Sequence, residues 1–109
     1  MFGTLGKLPF SDSFESKKVI SIDYDETFSL DISLFLNIAQ LFKSAGFDVI
    51  CCTCRNIKFK DEKLKLIEDS GIKCYFTSGK AKKGYLENKG IVVSVWIDDD
   101  PKTIINNTY

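Results

Sequence analysis

Histidine is missing from all 109 residues, so no mixed cysteine–histidine metal site can be assembled. The four cysteines do not replace one. Cys51, Cys52 and Cys54 lie in or at the end of one apolar run, and Cys74 lies in another. Neighbours on a strand point to opposite faces, so Cys51 and Cys52 do not converge on one ion. They read as small core thiols, with Cys54, at a strand end, the one nearest any site. No apolar run approaches the roughly 20 residues that span a bilayer. The opening MFGTLGKLPFSDSFESKK lacks the basic start and apolar stretch of a signal peptide. A cytoplasmic protein with no membrane partner is the expectation. Repeats and low-complexity tracts are absent too, and the length suits one domain with one core.

Charge of one sign is not in excess overall, since 15 Lys and Arg balance 15 Asp and Glu. The distribution is uneven. Residues 55–90 carry ten basic and five acidic side chains, while residues 1–54 carry four basic and seven acidic. The run from Lys58 to Lys65 reads as a solvated helix face.

Four apolar runs of strand length are present: Val19–Ile22, Val49–Cys52, Cys74–Phe76 and Val92–Ile97. They are continuous rather than alternating, which predicts strands covered on both faces, with Trp96 in the core. Between them, Ile32, Phe35, Leu36, Ile38, Ala39 and Phe42 form one helical stripe, closed by Gly46. Leu64, Leu66 and Ile67 form a second, closed by Gly71, and Ala81–Asn88 a third, ending at Gly90. Strands alternating with helices imply a parallel sheet with right-handed crossovers. The expected fold is α/β, a small three-layer Rossmann-like sandwich around about four parallel strands. Residues 1–17 share no period and read as an arm, a tail or a homo-oligomer contact. Residues 18–109 form the domain.

Ligands of open parallel sheets bind beyond the carboxyl ends of the strands. There the first strand runs into Asp23-Tyr24-Asp25-Glu26-Thr27, the second into Thr53-Cys54-Arg55 and the fourth into Asp98-Asp99-Asp100-Pro101. Lys80, Lys82 and Lys83 precede the fourth strand. Carboxylates crowded together repel, and a divalent cation relieves that repulsion; an all-oxygen set suits magnesium. A lysine and a hydroxyl at the same edge can hold the oxygens of a phosphoryl group. Acidic residues also end strands as turn formers and caps, but that explains one such cluster better than three in register. Tyr24 is expected to point into packing, Arg55 to be an exposed loop arginine in preference to a substrate contact, and Asp100 to cap a helical turn opened by Pro101.

These segments resemble the motifs of the haloacid dehalogenase (HAD-like) superfamily of phosphohydrolases, in the family's order. VISIDYDET at Val19–Thr27 matches an apolar strand followed by Asp-x-Asp-x-Thr. VICCT at Val49–Thr53 matches the strand ending in Thr or Ser, SGKAKKGYL contains the lysine, and VWIDDDP at Val95–Pro101 matches the paired acids. The resemblance covers nearly everything from Lys17 onward. It implies that Asp23 is the nucleophile of an aspartyl-phosphate mechanism and that Asp25 carries the proton. It implies magnesium held by the Asp23 carboxylate, the Asp25 backbone carbonyl, and Asp98 or Asp99. Thr53 would hydrogen-bond the phosphoryl group and Lys82 would pair with it; Lys82 is favoured over Lys80 and Lys83 because Gly79 and Ala81 leave it near a helix start.

The implied activity is a magnesium-dependent phosphatase acting on a phosphorylated substrate, a small molecule or a nucleic-acid end. Thirty residues from Asp23 to Thr53 and twenty-nine from Thr53 to Lys82 leave no room for the cap domain of larger relatives. The fifth strand of those relatives is not expected either. The rival expectation is a catalytically weak HAD-like binding or regulatory module, since fold does not guarantee function.

Overall fold

The structure, a computed structural model, describes residues 17–108, so the expected arm lies outside the described residues apart from Lys17. Four strands, β1 (Val19–Ile22), β2 (Asp48–Thr53), β3 (Lys73–Phe76) and β4 (Val93–Ile97), form one all-parallel sheet in the order β3-β2-β1-β4. Helices α1 (Ile32–Ser44), α2 (Glu62–Asp69) and α3 (Lys82–Glu87) connect successive strands, and a short helix α4 (Lys102–Ile105) follows the last one. Single 3-10 turns at Phe28–Leu30 and Ile57–Phe59 precede α1 and α2. Among the described residues no helix is long and apolar enough to cross a membrane.

The helices start and stop where local chemistry directs. The Asp31 carboxylate accepts the Leu34 N–H at the start of α1, and Asp61 accepts the Leu64 N–H at the start of α2. At the far end of α1, Gly46 takes a φ of +99°, and the Phe47 N–H turns back to the Phe42 carbonyl. Gly71 closes α2 the same way, with the Ile72 N–H on the Ile67 carbonyl.

Alternate strand residues feed two core clusters. Ile20, Ile22, Val49, Cys51 and Cys74 pack with Ala39 of α1 and with Leu64 and Ile67 of α2. Ile50 and Cys52 pack instead with Leu86 of α3, flanked by Tyr75, Val93 and Trp96. Cys51 and Cys52 thus diverge, as strand alternation requires. Cys51 and Cys54 have Cys-x-x-Cys spacing, yet Cys51 is buried against Cys74 while Cys54 lines a surface cleft.

One expectation about the strands is corrected. β4 is not covered on both faces: Ser94 and Val95 are exposed and Trp96 is only half-buried. The order of the sheet explains this, because β4 is an edge strand. Its pairing with β1 also skips Ser94, with Val19 opposite Val93 but Ile20 opposite Val95. Such an extra residue on an edge strand bends it and disrupts the ladder there.

Candidate active site

β1 sits between β2 and β4, so the chain leaves it one way through α1 and returns on the other side through α3. That reversal opens a crevice at the carboxyl ends of β1 and β4. The Asp23 N–H donates to the Ile97 carbonyl at 2.9 Å, which carries the ladder one residue past both strands and sets Asp23 beside Asp98. The loop after Asp23 folds back at once. Phe28 and Ser29 donate their N–H groups to the Asp23 and Tyr24 carbonyls, and Glu26 takes a left-handed φ of 61°. Asp25 therefore stands on the rim of the same crevice.

A cleft of about 160 Å³ is lined by Asp23, Asp25, Cys54, Lys82, Asp98 and Asp99, among others. Larger surface grooves border β3 and α3 but contain none of these carboxylates. Carboxylate oxygens of Asp23, Asp98 and Asp99 lie within 4.8 Å of one another. The Lys82 ammonium, on the first residue of α3, reaches Asp23 at 2.7 Å and Asp98 at 2.6 Å, and its side chain is only 2% exposed. Of the three lysines in this segment, Lys83 pairs with Glu87 and Lys80 borders a separate groove. The loop that leads into Lys82 is braced from the end of the chain: Asn107 accepts the Ala81 N–H, and Thr108 donates to the Gly79 carbonyl.

Electrostatics follow from this packing. Burial pushes the Asp23 carboxyl up to about 7, against the opposing pull of Lys82. Burial acts to lower the Lys82 ammonium, but the Asp23 charge and the hydrogen bonds to Asp23 and Asp98 outweigh it and hold lysine above its ordinary value. One ammonium thus serves a group of carboxylates whose charges it does not fully balance. The donor set, three carboxylates within reach of one point, fits a hard divalent cation such as magnesium. The Asp25 backbone carbonyl, the remaining expected ligand, accepts no hydrogen bond among the described residues.

Thr53 and Asp25 make contacts that the sequence did not suggest. Thr53 is fully buried; its hydroxyl faces Asp25 at 3.4 Å and accepts the Arg55 N–H at 3.2 Å. The Asp25 carboxylate is gripped by Arg55 through Nε at 3.2 and 3.1 Å and through Nη2 at 2.9 Å. Arg55 is therefore not the loose loop arginine expected. Its guanidinium also lies 5.0 Å from the Tyr24 ring centre, and the Tyr24 hydroxyl donates to Asp61. Tyr24 is buried, as expected, but with its polar end in this network. The one sequence signal for Arg55 was its position two residues beyond Thr53, which does not tell a site arginine from a surface one.

Asp100 is also corrected. Its side chain caps nothing; its carbonyl accepts the Thr103 N–H and hydroxyl, and its N–H donates to Asp98. The Asp98–Asp100 contact turns the chain and fixes one Asp98 oxygen while the other meets Lys82. No protein-family profile, no curated protein and no solved structure matches this chain.

Proposed function

We propose that this chain is a magnesium-dependent phosphomonoester hydrolase that works through an aspartyl-phosphate on Asp23. The proposed fold is the small capless Rossmann-like, HAD-like sandwich, with one helical layer from α1 and α2 and the other from α3. The observation that carries the reading is the meeting of Asp23, Asp98, Asp99 and buried Lys82 at one strand edge. Acids from two stretches of chain 75 residues apart, Asp23 and Asp98, share one lysine there. A structural role explains this poorly, because two buried carboxylates, Asp23 and Asp98, cost stability where one ammonium balances only part of their charge.

In this mechanism Asp23, Asp98 and the Asp25 carbonyl would hold magnesium, with Asp99 beside them. The ion would neutralise charge on the transferring phosphoryl group. Lys82 holds Asp23 in place and offers positive charge to the phosphoryl oxygens. An Asp23 carboxylate oxygen bonds to phosphorus as the ester bond breaks. Asp25 gives its proton to the leaving oxygen, then takes one from the water that hydrolyses the aspartyl-phosphate. The Thr53 hydroxyl, buried beside Asp25 and outside the cleft lining, would have to turn from Asp25 to reach the phosphoryl group. The site is open, with no covering domain among the described residues, which suits a phosphate on a bulky substrate. Four free cysteines suit a reducing, cytoplasmic setting.

The test is turnover of p-nitrophenyl phosphate with and without magnesium, for the native chain and for Asp23→Asn. Magnesium-dependent turnover that the substitution abolishes is expected. Equal turnover by the variant refutes the covalent route, and magnesium binding without any turnover favours the binding-module reading.

A further inference from the structure

Arg55 takes no part in the phosphohydrolase mechanism proposed for this site, and the role inferred for it rests on that mechanism. An exposed arginine keeps many rotamers, but converging contacts confine this one. Nε and Nη2 fork onto both oxygens of Asp25, and Nη1 donates to the Phe59 carbonyl at 2.7 Å. Nη1 also lies 3.5 Å from Asp61, and the guanidinium covers the Tyr24 ring. Asp61 is itself fixed twice, by the Tyr24 hydroxyl and by the Leu64 N–H that it caps. The chain Asp25–Arg55–Asp61–Tyr24 therefore ties the proton carrier to the start of α2 and to the core.

We propose that Arg55 is a positioning residue for Asp25, and that it sustains turnover of esters whose leaving group needs a proton. As the Asp23–phosphorus bond forms and the ester bond breaks, the electron pair of that bond goes to the leaving oxygen. That oxygen takes the Asp25 proton, and Asp25 is left as a carboxylate. The Arg55 fork matches this product of the transfer, since a planar guanidinium meets both carboxylate oxygens at once. An alkyl or phenyl ester needs the proton, because its departing anion is unstable. A 2,4-dinitrophenyl ester does not. The arginine is turned toward Asp25, Phe59 and Asp61, not toward Lys82, which separates its role from phosphate binding.

The experiment compares kcat/KM for phenyl phosphate and 2,4-dinitrophenyl phosphate with magnesium, using the native chain, Arg55→Lys and Asp61→Asn. kcat/KM reports steps up to ester cleavage, so later hydrolysis of the aspartyl-phosphate does not mask the effect. Arg55→Lys keeps the charge and loses the fork; it should lower the phenyl value by on the order of 10²-fold, the usual worth of general acid catalysis. The loss on the dinitrophenyl ester should be at least ~10-fold smaller, as expected for a leaving group that needs no acid. Asp61→Asn keeps a capping side chain and loses the anchoring charge, so it should show the same selectivity more weakly even if Arg55→Lys folds poorly. In the metal-free protein the Arg55 Nε–H should give a persistent NMR signal that disappears in Asp25→Ala. Equal losses on both esters from an active native chain, or an Nε–H signal indifferent to Asp25→Ala, overturn this proposal alone. A native chain inactive on both esters overturns it together with the phosphohydrolase reading.

Discussion

Lys82→Met tests the electrostatic centre of the site most directly, because methionine keeps much of the apolar stem and deletes only the ammonium. The side chains of Asp23 and Asp98 are 7% and 3% exposed, so neither can turn to water when the charge is removed. Breaking a buried ion pair from one side costs about 3–5 kcal/mol. Asp23 can partly escape by keeping its proton, since burial already pushes it up to about 7, which favours the lower end of that range near neutral pH. Set against the roughly 5–15 kcal/mol stability of an ordinary domain, a loss of about 3 kcal/mol is a large fraction. Urea unfolding in EDTA, followed by the fluorescence of Trp96, measures it. Adding Asp23→Asn removes one of the stranded charges, so the double variant should recover more than about 1 kcal/mol relative to the sum of the single changes. Magnesium should stabilise Lys82→Met more than the native chain, because the ion then meets carboxylates without a counter-charge. A loss below about 1 kcal/mol in EDTA, or strict additivity in the double variant, refutes the claim that Lys82 compensates this cluster.

Other consequences can be checked alongside. Gly46→Ala should destabilise the protein by about 1–2 kcal/mol, the cost of a left-handed alanine, with no added clash because no atom lies within 4 Å of the new Cβ. An unchanged denaturation midpoint would contradict this account of the α1 terminus. In the native chain at pH 8, iodoacetamide should label Cys54 alone of the four thiols. Cys51 and Cys52 are fully buried, and burial pushes the Cys52 thiol up to about 12; Cys74 is buried as well. Labelling of Cys54 should slow in the presence of magnesium and orthovanadate, since it lines the same cleft as Asp23; a rate indifferent to both would place it outside the occupied space. Asp98→Asn should lower magnesium affinity by at least about tenfold by titration calorimetry, as expected for the loss of one charged ligand, and equal affinity would remove Asp98 from the metal set.

Much of the architecture was legible because its causes are local. Val19–Ile22 and the stripe from Ile32 to Phe42 carry their periods in adjacent residues, and Gly46 and Gly71 mark helix ends that only a positive φ completes. The strand ends were legible too, so Asp23, Thr53 and Asp98 could be placed at one edge before any topology was known. Where the reading failed, the cause was distant. The run from Val92 to Ile97 is as apolar as a central strand, and nothing within it records that β4 lies at the edge of the sheet with Val92 and Val95 exposed.

The amino-acid order alone thus determined which segments become strands and helices, and which carboxylates stand at the strand tips, because alternation, capping and run length act over a few residues. Only the tertiary structure decided that β4 pairs with β1, that Lys82 rather than Lys80 or Lys83 reaches Asp23, and that Arg55 grips Asp25 across 30 residues of chain. Those outcomes depend on how crossovers pack on the sheet and on which charges end up buried together, and no short stretch of sequence encodes either.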